Sequence, residues 1–313
     1  VKALRIAVIM STYNGEKFVE EQITSILKQR IKDDYDLNVY IRDDGSKDKT
    51  LDILKKIAFK NEKVHILNTK KNVGVRLSFF ELLKHVEADY YFFADQDDVW
   101  NIDKIEKILD VFESTNSKDL VGVYSDLELV DSNLNDLGYS MMENQGWSYE
   151  EDRSFSFLIF HYRITGASFA INKTVRDFVI GYSNTTFEDI NMHDSFIALL
   201  IAACNGLYFI PEKLVKYRQH SGNVIGAYSK KTSKINFKSR LLGFKAFFKD
   251  LELLSKKSDY LSIPEENKLV LEDVEGFINA NSLINKIKAV INAKTNVWKS
   301  IGWKNVFFLI LFY

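Results

Sequence analysis

Short apolar runs and helical patterns alternate along the first part of the chain. Leu4 to Met10 and Leu37 to Ile41 read as buried strands. Between them, Glu16 to Lys28 carries a helical pattern with Phe18, Ile23, Ile26 and Leu27 on its inner face. Asp43-Asp44-Gly45-Ser46 then makes a turn, Thr50 opens a helix to about Phe59, and Val64 to Leu67 is a further strand. A helix follows Asn72-Val73-Gly74 as far as Val86, the apolar run Tyr90 to Ala94 is a strand, and Ile102 to Phe112 and Val121 to Tyr124 repeat the pair. This order predicts an α/β fold with a Rossmann-like, mainly parallel sheet and helices on both faces.

Beyond Asp126 the pattern loosens. Ser132 to Glu151 is polar and is a candidate substrate loop. Order resumes at Phe155 to His161, continues with a strand over Ala167 to Ile171, and gives a helix from Asp194 to Cys204 closed by Asn205-Gly206. Leu207 to Ile210 and Leu214 to Tyr217 read as two strands flanking Pro211. From about Ser229 the chain becomes lysine-rich and helical, as in Leu241 to Leu254 and Lys268 to Ile278. The expected division is therefore a first domain over 1–228 and a basic, helical C-terminal region over 229–313.

Composition narrows the class. With 313 residues, 46% hydrophobic and 27% charged, the chain suits one large or two modest globular domains and not a disordered protein. A single cysteine, Cys204, in an apolar stretch gives no disulfide framework and no thiolate metal site, which fits a reducing compartment. The first apolar run is short and ends at Ser11, so no secretory signal is visible and a cytoplasmic location is expected.

The net charge of -1 hides an asymmetry. Residues 230–313 carry 15 Lys and Arg against 8 Asp and Glu, and residues 1–229 carry 27 against 35. After Glu275 no acidic side chain remains, whereas Lys286, Lys288, Lys294, Lys299 and Lys304 do, and the chain ends in Val306-Phe-Phe-Leu-Ile-Leu-Phe-Tyr313. Such a tail is too short to span a bilayer but suits an anionic membrane surface. Its alternative is a terminal helix packing on the domain or on a second subunit of a homo-oligomer. No nucleic acid is expected as a partner.

The candidate chemistry lies where strands end. Asp95-Gln96-Asp97-Asp98 follows Tyr90 to Ala94, at the edge where open α/β sheets bind their ligands. Asp95 and Asp97 fall on one side of an extended segment and can share a hard cation completed by phosphate oxygens. An acidic loop capping the next helix explains the same residues. Four further blocks would meet it. Ser11-Thr12-Tyr13-Asn14-Gly15 can touch a base or phosphate. In Asp43-Asp44-Gly45-Ser46 a carboxylate can accept the imide N–H of uracil or thymine, or can form an Asx turn. Met192-His193-Asp194 places a carboxylate at a helix start, as a base or as a cap. In Tyr217-Arg218-Gln219-His220, His220 offers a metal ligand and Arg218 a cation for phosphates.

Taken in this order, the blocks resemble the inverting glycosyltransferases of family two over roughly residues 4–225. The forms Asp-Gln-Asp-Asp-Val-Trp100 and His193-Asp194 followed by Tyr-Arg-Gln-His-Ser-Gly-Asn223 look most like the bacterial rhamnosyltransferase branch, of the type that builds rhamnose-rich streptococcal wall polysaccharides. The resemblance implies a type A glycosyltransferase fold. It also implies that Thr12, Tyr13 and Asp43 hold the base, Asp95 the ribose, and Asp97 a Mg²⁺ or Mn²⁺ ion, with His220 as a further ligand and Asp194 as general base. Lys71, with Asn72 and Gly74, would sit near the base or phosphates. The extra carboxylate Asp98 leaves open whether it or Asp97 is the main metal ligand. The implied reaction moves L-rhamnose from dTDP-β-L-rhamnose to a lipid-linked saccharide, with the enzyme peripheral at the inner face of the plasma membrane. A UDP-hexose donor (galactose, glucose or N-acetylglucosamine) is the alternative on the same fold, because short motifs do not report hexose selectivity. A non-catalytic scaffold of a polysaccharide assembly complex is the alternative of another class.

Overall fold

The computed structural model describes residues 3–67, 71–220 and 237–313. The chain divides into two compact units: Val1–Glu150, Ile164–Glu188 and Leu207–Lys231 form the first, and Glu151–Arg163, Asp189–Gly206 and Thr232–Tyr313 the second. The expected boundary at 228/229 lies outside the described residues. The second unit also draws in 151–163 and 189–206, which the sequence had placed with the first domain.

The first unit is built on one nine-stranded sheet. Its strands are β1 (Leu4–Thr12), β2 (Tyr35–Asp43), β3 (Val64–Leu67), β4 (Tyr90–Ala94), β5 (Val99–Trp100), β6 (Gly122–Val130), β7 (Asp136–Ser140), β8 (Phe169–Asn172) and β9 (Leu207–Arg218). They run in the order β3-β2-β1-β4-β8-β6-β9-β5, with β7 paired to β6. β3, β2, β1 and β4 are parallel, as the strand and helix alternation requires. Beyond β4 the sheet is mixed, because β8 runs antiparallel to both β4 and β6 while β9 is parallel to β6.

The helices that cross between the first strands are α1 (Val19–Leu27), α2 (Thr50–Lys60) and α3 (Gly74–His85), and α4 (Lys104–Glu113) follows β5. Ile6, Ala7, Val8, Ile9 and Met10 are all buried, so β1 is covered on both sides, which is why its sequence reads as a continuous apolar run. Register then decides where the chemistry goes. Thr12 pairs with Asp43 and Met10 with Ala94, so β1, β2 and β4 release their following loops at one edge.

Two segments are more ordered than expected. β9 is one strand through Pro211, and its pairing with β6 slips between Ile210 and Lys213. Proline has no N–H for the ladder, so it sits in that irregularity and the strand continues to Arg218. The expected loop 132–151 contains β7 and a helix, Met141–Gln145. Ser140 and Glu143 form a capping box at that helix, while buried Asp126 accepts from the Met142 N–H at 3.1 Å and the Tyr149 hydroxyl at 2.7 Å.

The second unit is helical. Every residue of His193–Ala203 is buried, so this helix is apolar all round instead of amphipathic. Helices Phe237–Ser255 and Glu265–Ile278 occupy the two regions expected to be helical. Phe248, Phe277, Trp298, Val306 and Leu309 are buried, so the C-terminal segment contributes to this unit's core. Buried Asp250 accepts from the Tyr162 hydroxyl at 2.7 Å and the Asn191 N–H at 3.0 Å. Burial, followed by the charge of Asp250, pushes the Tyr162 hydroxyl far above its ordinary pKa. Among the described residues, no helix is long and apolar enough to cross a membrane.

Candidate active site

The acidic block is held at both ends. β4 enters it, and β5 leaves it by pairing Val99 and Trp100 with Lys216 and Val215 of β9. Gln22, buried in α1, donates to the Asp95 carbonyl at 2.9 Å. Gln96 clamps the block to the loop after β1: its amide oxygen accepts from the Tyr13 N–H at 2.9 Å and its amide nitrogen donates to the Tyr13 carbonyl at 3.1 Å. A Cβ on Gly15 would lie 2.2 Å from that amide oxygen, so this close approach needs glycine. Gly15→Ala is expected to swing Gln96 away and break both bonds, at about 1–3 kcal/mol. A thermal melt several degrees lower and a raised donor KM would register the change; unaltered values would show the clamp to be dispensable.

Asp97 and Asp98 separate into different environments. Asp97 lines a cavity of about 630 Å³ together with Asn14, Phe18, Gln96, Ser132 and His220. The His220 Nε2 lies 2.8 Å from Asp97 Oδ2, and the imidazole packs against the Phe18 ring with 5.0 Å between centroids. Asp98 is fully buried, and its Oδ1 accepts from the Arg218 N–H at 3.0 Å. Burial, then the neighbouring charges of Asp97 and Asp95, raise its pKa well above the usual carboxylate range. Buried Lys104 donates to the Ala167 carbonyl at 2.6 Å and sits over the Trp100 ring, and burial pushes its pKa well down. Of the two carboxylates, Asp97 therefore faces the cavity.

Arg218, expected at the phosphates, is turned to another use. Its side chain is 2% exposed. Nε donates to the Asp97 carbonyl at 2.7 Å, Nη1 to the Ser132 carbonyl at 2.6 Å, and Nη2 to Glu21 at 2.6 Å, while the guanidinium lies over Phe18. A guanidinium spread over three protein acceptors fixes the backbone at Asp97 and has no face turned to a ligand. Arg218→Ala is expected to destabilise the first unit by about 2 kcal/mol, since it removes the guanidinium's hydrogen bonds to two carbonyls and its packing on Phe18, while half-exposed Glu21 returns to water. Urea unfolding measures this, and a loss below about 1 kcal/mol would contradict a positioning role.

The remaining predicted residues divide as follows. Thr12 and Asp43 are buried and bonded to each other at 2.9 Å. Asp43 also accepts from the Gly45 and Ser46 N–H groups, so the Asx turn is present, with Gly45 at φ +83°. Tyr13 is 45% exposed at the same edge. Asp95 is half-buried beside the block. Lys71 is exposed, and its carbonyl accepts from Arg42 at 3.0 Å. Asp194 lies in the second unit, in the first turn of its helix, where it accepts from the Ser195 N–H at 2.7 Å.

Several contacts around the site carry no signal that the sequence reading used. Phe18, expected on the inner face of α1, precedes that helix and packs its ring against His220 and under the Arg218 guanidinium. Asp44 accepts from the Val73 and Gly74 N–H groups, both at 2.8 Å, and so satisfies the start of α3. Glu21 and Ser132 meet Arg218 from far away in sequence.

Asp97 and His220 supply one carboxylate and one imidazole. No larger cluster of metal-ligating side chains occurs among the described residues. That set fits a cation whose other ligands are phosphate oxygens and water, because nucleotide-bound Mg²⁺ or Mn²⁺ takes only one or two protein ligands.

Residues 7–171 match the sequence profile of glycosyl transferase family 2, and the chain belongs to that family. It is 31% identical over 264 residues to the dTDP-rhamnosyl transferase RfbG of Shigella flexneri, covering 79% of this chain and 80% of that one. Among solved structures it is similar to S. aureus TarS 1-349 in complex with UDP, with a TM-score of 0.59 and 16% identity over 98% of this chain and 80% of that one. It is also similar to the mannosyltransferase PcManGT of Pyrobaculum calidifontis, solved with GDP-Man and Mn²⁺, with a TM-score of 0.57 and 16% identity over 93% and 74% of the two chains. The protein is a rhamnosyltransferase-like glycosyltransferase of type A fold, with C-terminal helices.

Proposed function

We propose that this enzyme transfers L-rhamnose from dTDP-β-L-rhamnose to a lipid-linked saccharide, with inversion at the anomeric carbon and dependence on Mn²⁺ or Mg²⁺. The observation that carries the donor is the similarity to a dTDP-rhamnosyl transferase over about four-fifths of both chains. Thymine lies against Thr12, Tyr13 and Asp43, with Lys71 nearby, and Asp95 accepts from the ribose. Asp97 and His220 would hold the cation, which would offset charge growing on the departing diphosphate. Arg218, Gln96 and Phe18 keep Asp97 and His220 in place. The acceptor hydroxyl oxygen bonds to the anomeric carbon as the carbon–oxygen bond to the diphosphate breaks. Asp194 takes the hydroxyl proton. One displacement of this kind turns a β-linked donor into an α-L-rhamnoside. The enzyme works as a peripheral protein on the cytoplasmic side of the plasma membrane, in cell-surface polysaccharide biosynthesis.

The test is nucleotide release by the purified chain from a panel of donors, with Mn²⁺, Mg²⁺ or EDTA. Release of dTDP from dTDP-β-L-rhamnose with a divalent cation is expected. Preferential release of UDP from UDP-galactose, UDP-glucose or UDP-N-acetylglucosamine would replace the donor. No turnover with any donor and acceptor would favour a scaffold.

A further inference from the structure

The second unit carries an apolar surface that its own core does not use. On the helix Leu283–Ile291, the side chains of Leu283, Ile284, Ile287 and Ile291 point away from the unit, whereas Val290 is buried. At about 100° per residue these four share one arc, and exposed Lys288 borders it. On the helix Trp303–Phe312, Trp303, Phe307 and Leu311 repeat the spacing i, i+4, i+8 on the outer side, with exposed Lys304 beside them and Val306 and Leu309 buried. The two helices pack against each other. All seven apolar side chains are between 39% and 75% exposed.

We propose that these two helix faces form one docking surface for an anionic lipid bilayer. The apolar arcs would lie in the headgroup boundary, with Lys288, Lys299 and Lys304 at the phosphates. Charge selects this occupant over a second copy of the chain. A two-fold self-contact would bring these lysines toward their own copies, and the segment after Glu275 offers no carboxylate to meet them. Neither helix is long enough to span, so the contact is parallel to the surface. The proposal deepens the reading of a lipid-linked acceptor. Its test needs neither sugar nor nucleotide, so either idea can fail alone.

Truncating the tail would remove Trp298, Val306 and Leu309 from the unit's core, so exposed positions are substituted instead. Flotation of the full chain with vesicles of 3:1 phosphatidylcholine and phosphatidylglycerol at low salt is expected to carry it to the top of the gradient. Ile287→Asp with Phe307→Asp should lower partitioning at least ~10-fold, given the apolar area lost. Lys288→Ala with Lys304→Ala should lower it about 25-fold, from roughly 5-fold per lysine, with the effect abolished in high salt. Near-UV circular dichroism checks folding of each variant, and the lysine pair tests the proposal even if the apolar pair misfolds. Failure of the intact chain to float, or equal flotation of folded variants, would overturn the proposal. A concentration-dependent dimer that the apolar substitutions dissociate, without flotation of the intact chain, would assign the surface to self-association instead.

Discussion

Asp97→Asn is expected to lower kcat/KM by ~10³-fold or more, the scale on which an electrostatic contact to developing charge acts. The substitution keeps shape and removes charge. Asp97 lines the cavity with its carboxylate 2.8 Å from His220, and its main chain is fixed by Arg218, so an amide there should leave the fold standing. What it removes is the anionic ligand that opposes the charge of a divalent ion beside a diphosphate. Nucleotide binding should lose its dependence on Mn²⁺ while the melting temperature stays near that of the parent. Isothermal titration of dTDP with and without Mn²⁺ reads this directly. A variant that keeps cation-dependent binding would move the metal away from Asp97.

Asp194→Asn carries the second large effect, a fall in kcat of ~10²–10⁴-fold with donor affinity nearly unchanged. Asp194 is held locally, through the Ser195 N–H at 2.7 Å and the Ser195 hydroxyl at 3.2 Å. An amide can accept those same bonds, so the helix start survives, but it cannot take a proton from the acceptor. Initial rates over a range of donor concentrations separate the two cases. A variant whose sole defect is a raised donor KM would make Asp194 a binding residue.

In the parallel half of the sheet, β1 and β4 were legible because they are buried on both sides and therefore read as unbroken apolar runs. Tyr90–Ala94 and Val64–Leu67 have the observed limits. The chemistry was legible for a related reason. Motifs that directly follow parallel strands in register must emerge together, so Thr12, Asp43 and the acidic block were placed at one edge before any side chain was known.

What the sequence hid is tertiary. Arg218 reads as a free cation at a strand end. Its acceptors at residues 21, 97 and 132 come from three separate segments, and no local pattern announces them. Phe18 fits a helical apolar stripe equally well, and only the positions of His220 and Arg218 explain it. Proline 211 suggested a break, whereas the register slip beside it lets the strand run on to Arg218. The capping box at Ser140 was readable from its spacing, but the polar composition around it argued for a loop.

The exposed faces of the last helices show the same limit. An acid-free, apolar terminus can pack or dock, and only the folded structure separates the side chains that pack from those that face outward. Val306 and Leu309 belong to the core while Phe307 and Leu311 do not.

The enzyme is proposed to transfer rhamnose with inversion and with dependence on a cation. Proton NMR of the product formed from dTDP-β-L-rhamnose and a lipid-linked saccharide tests it in one spectrum, with Mn²⁺ and again in EDTA. An α-L-rhamnoside that forms with the cation and is absent in EDTA is the expected result; a β-linked product would rule out inversion, and equal product in EDTA would rule out the cation.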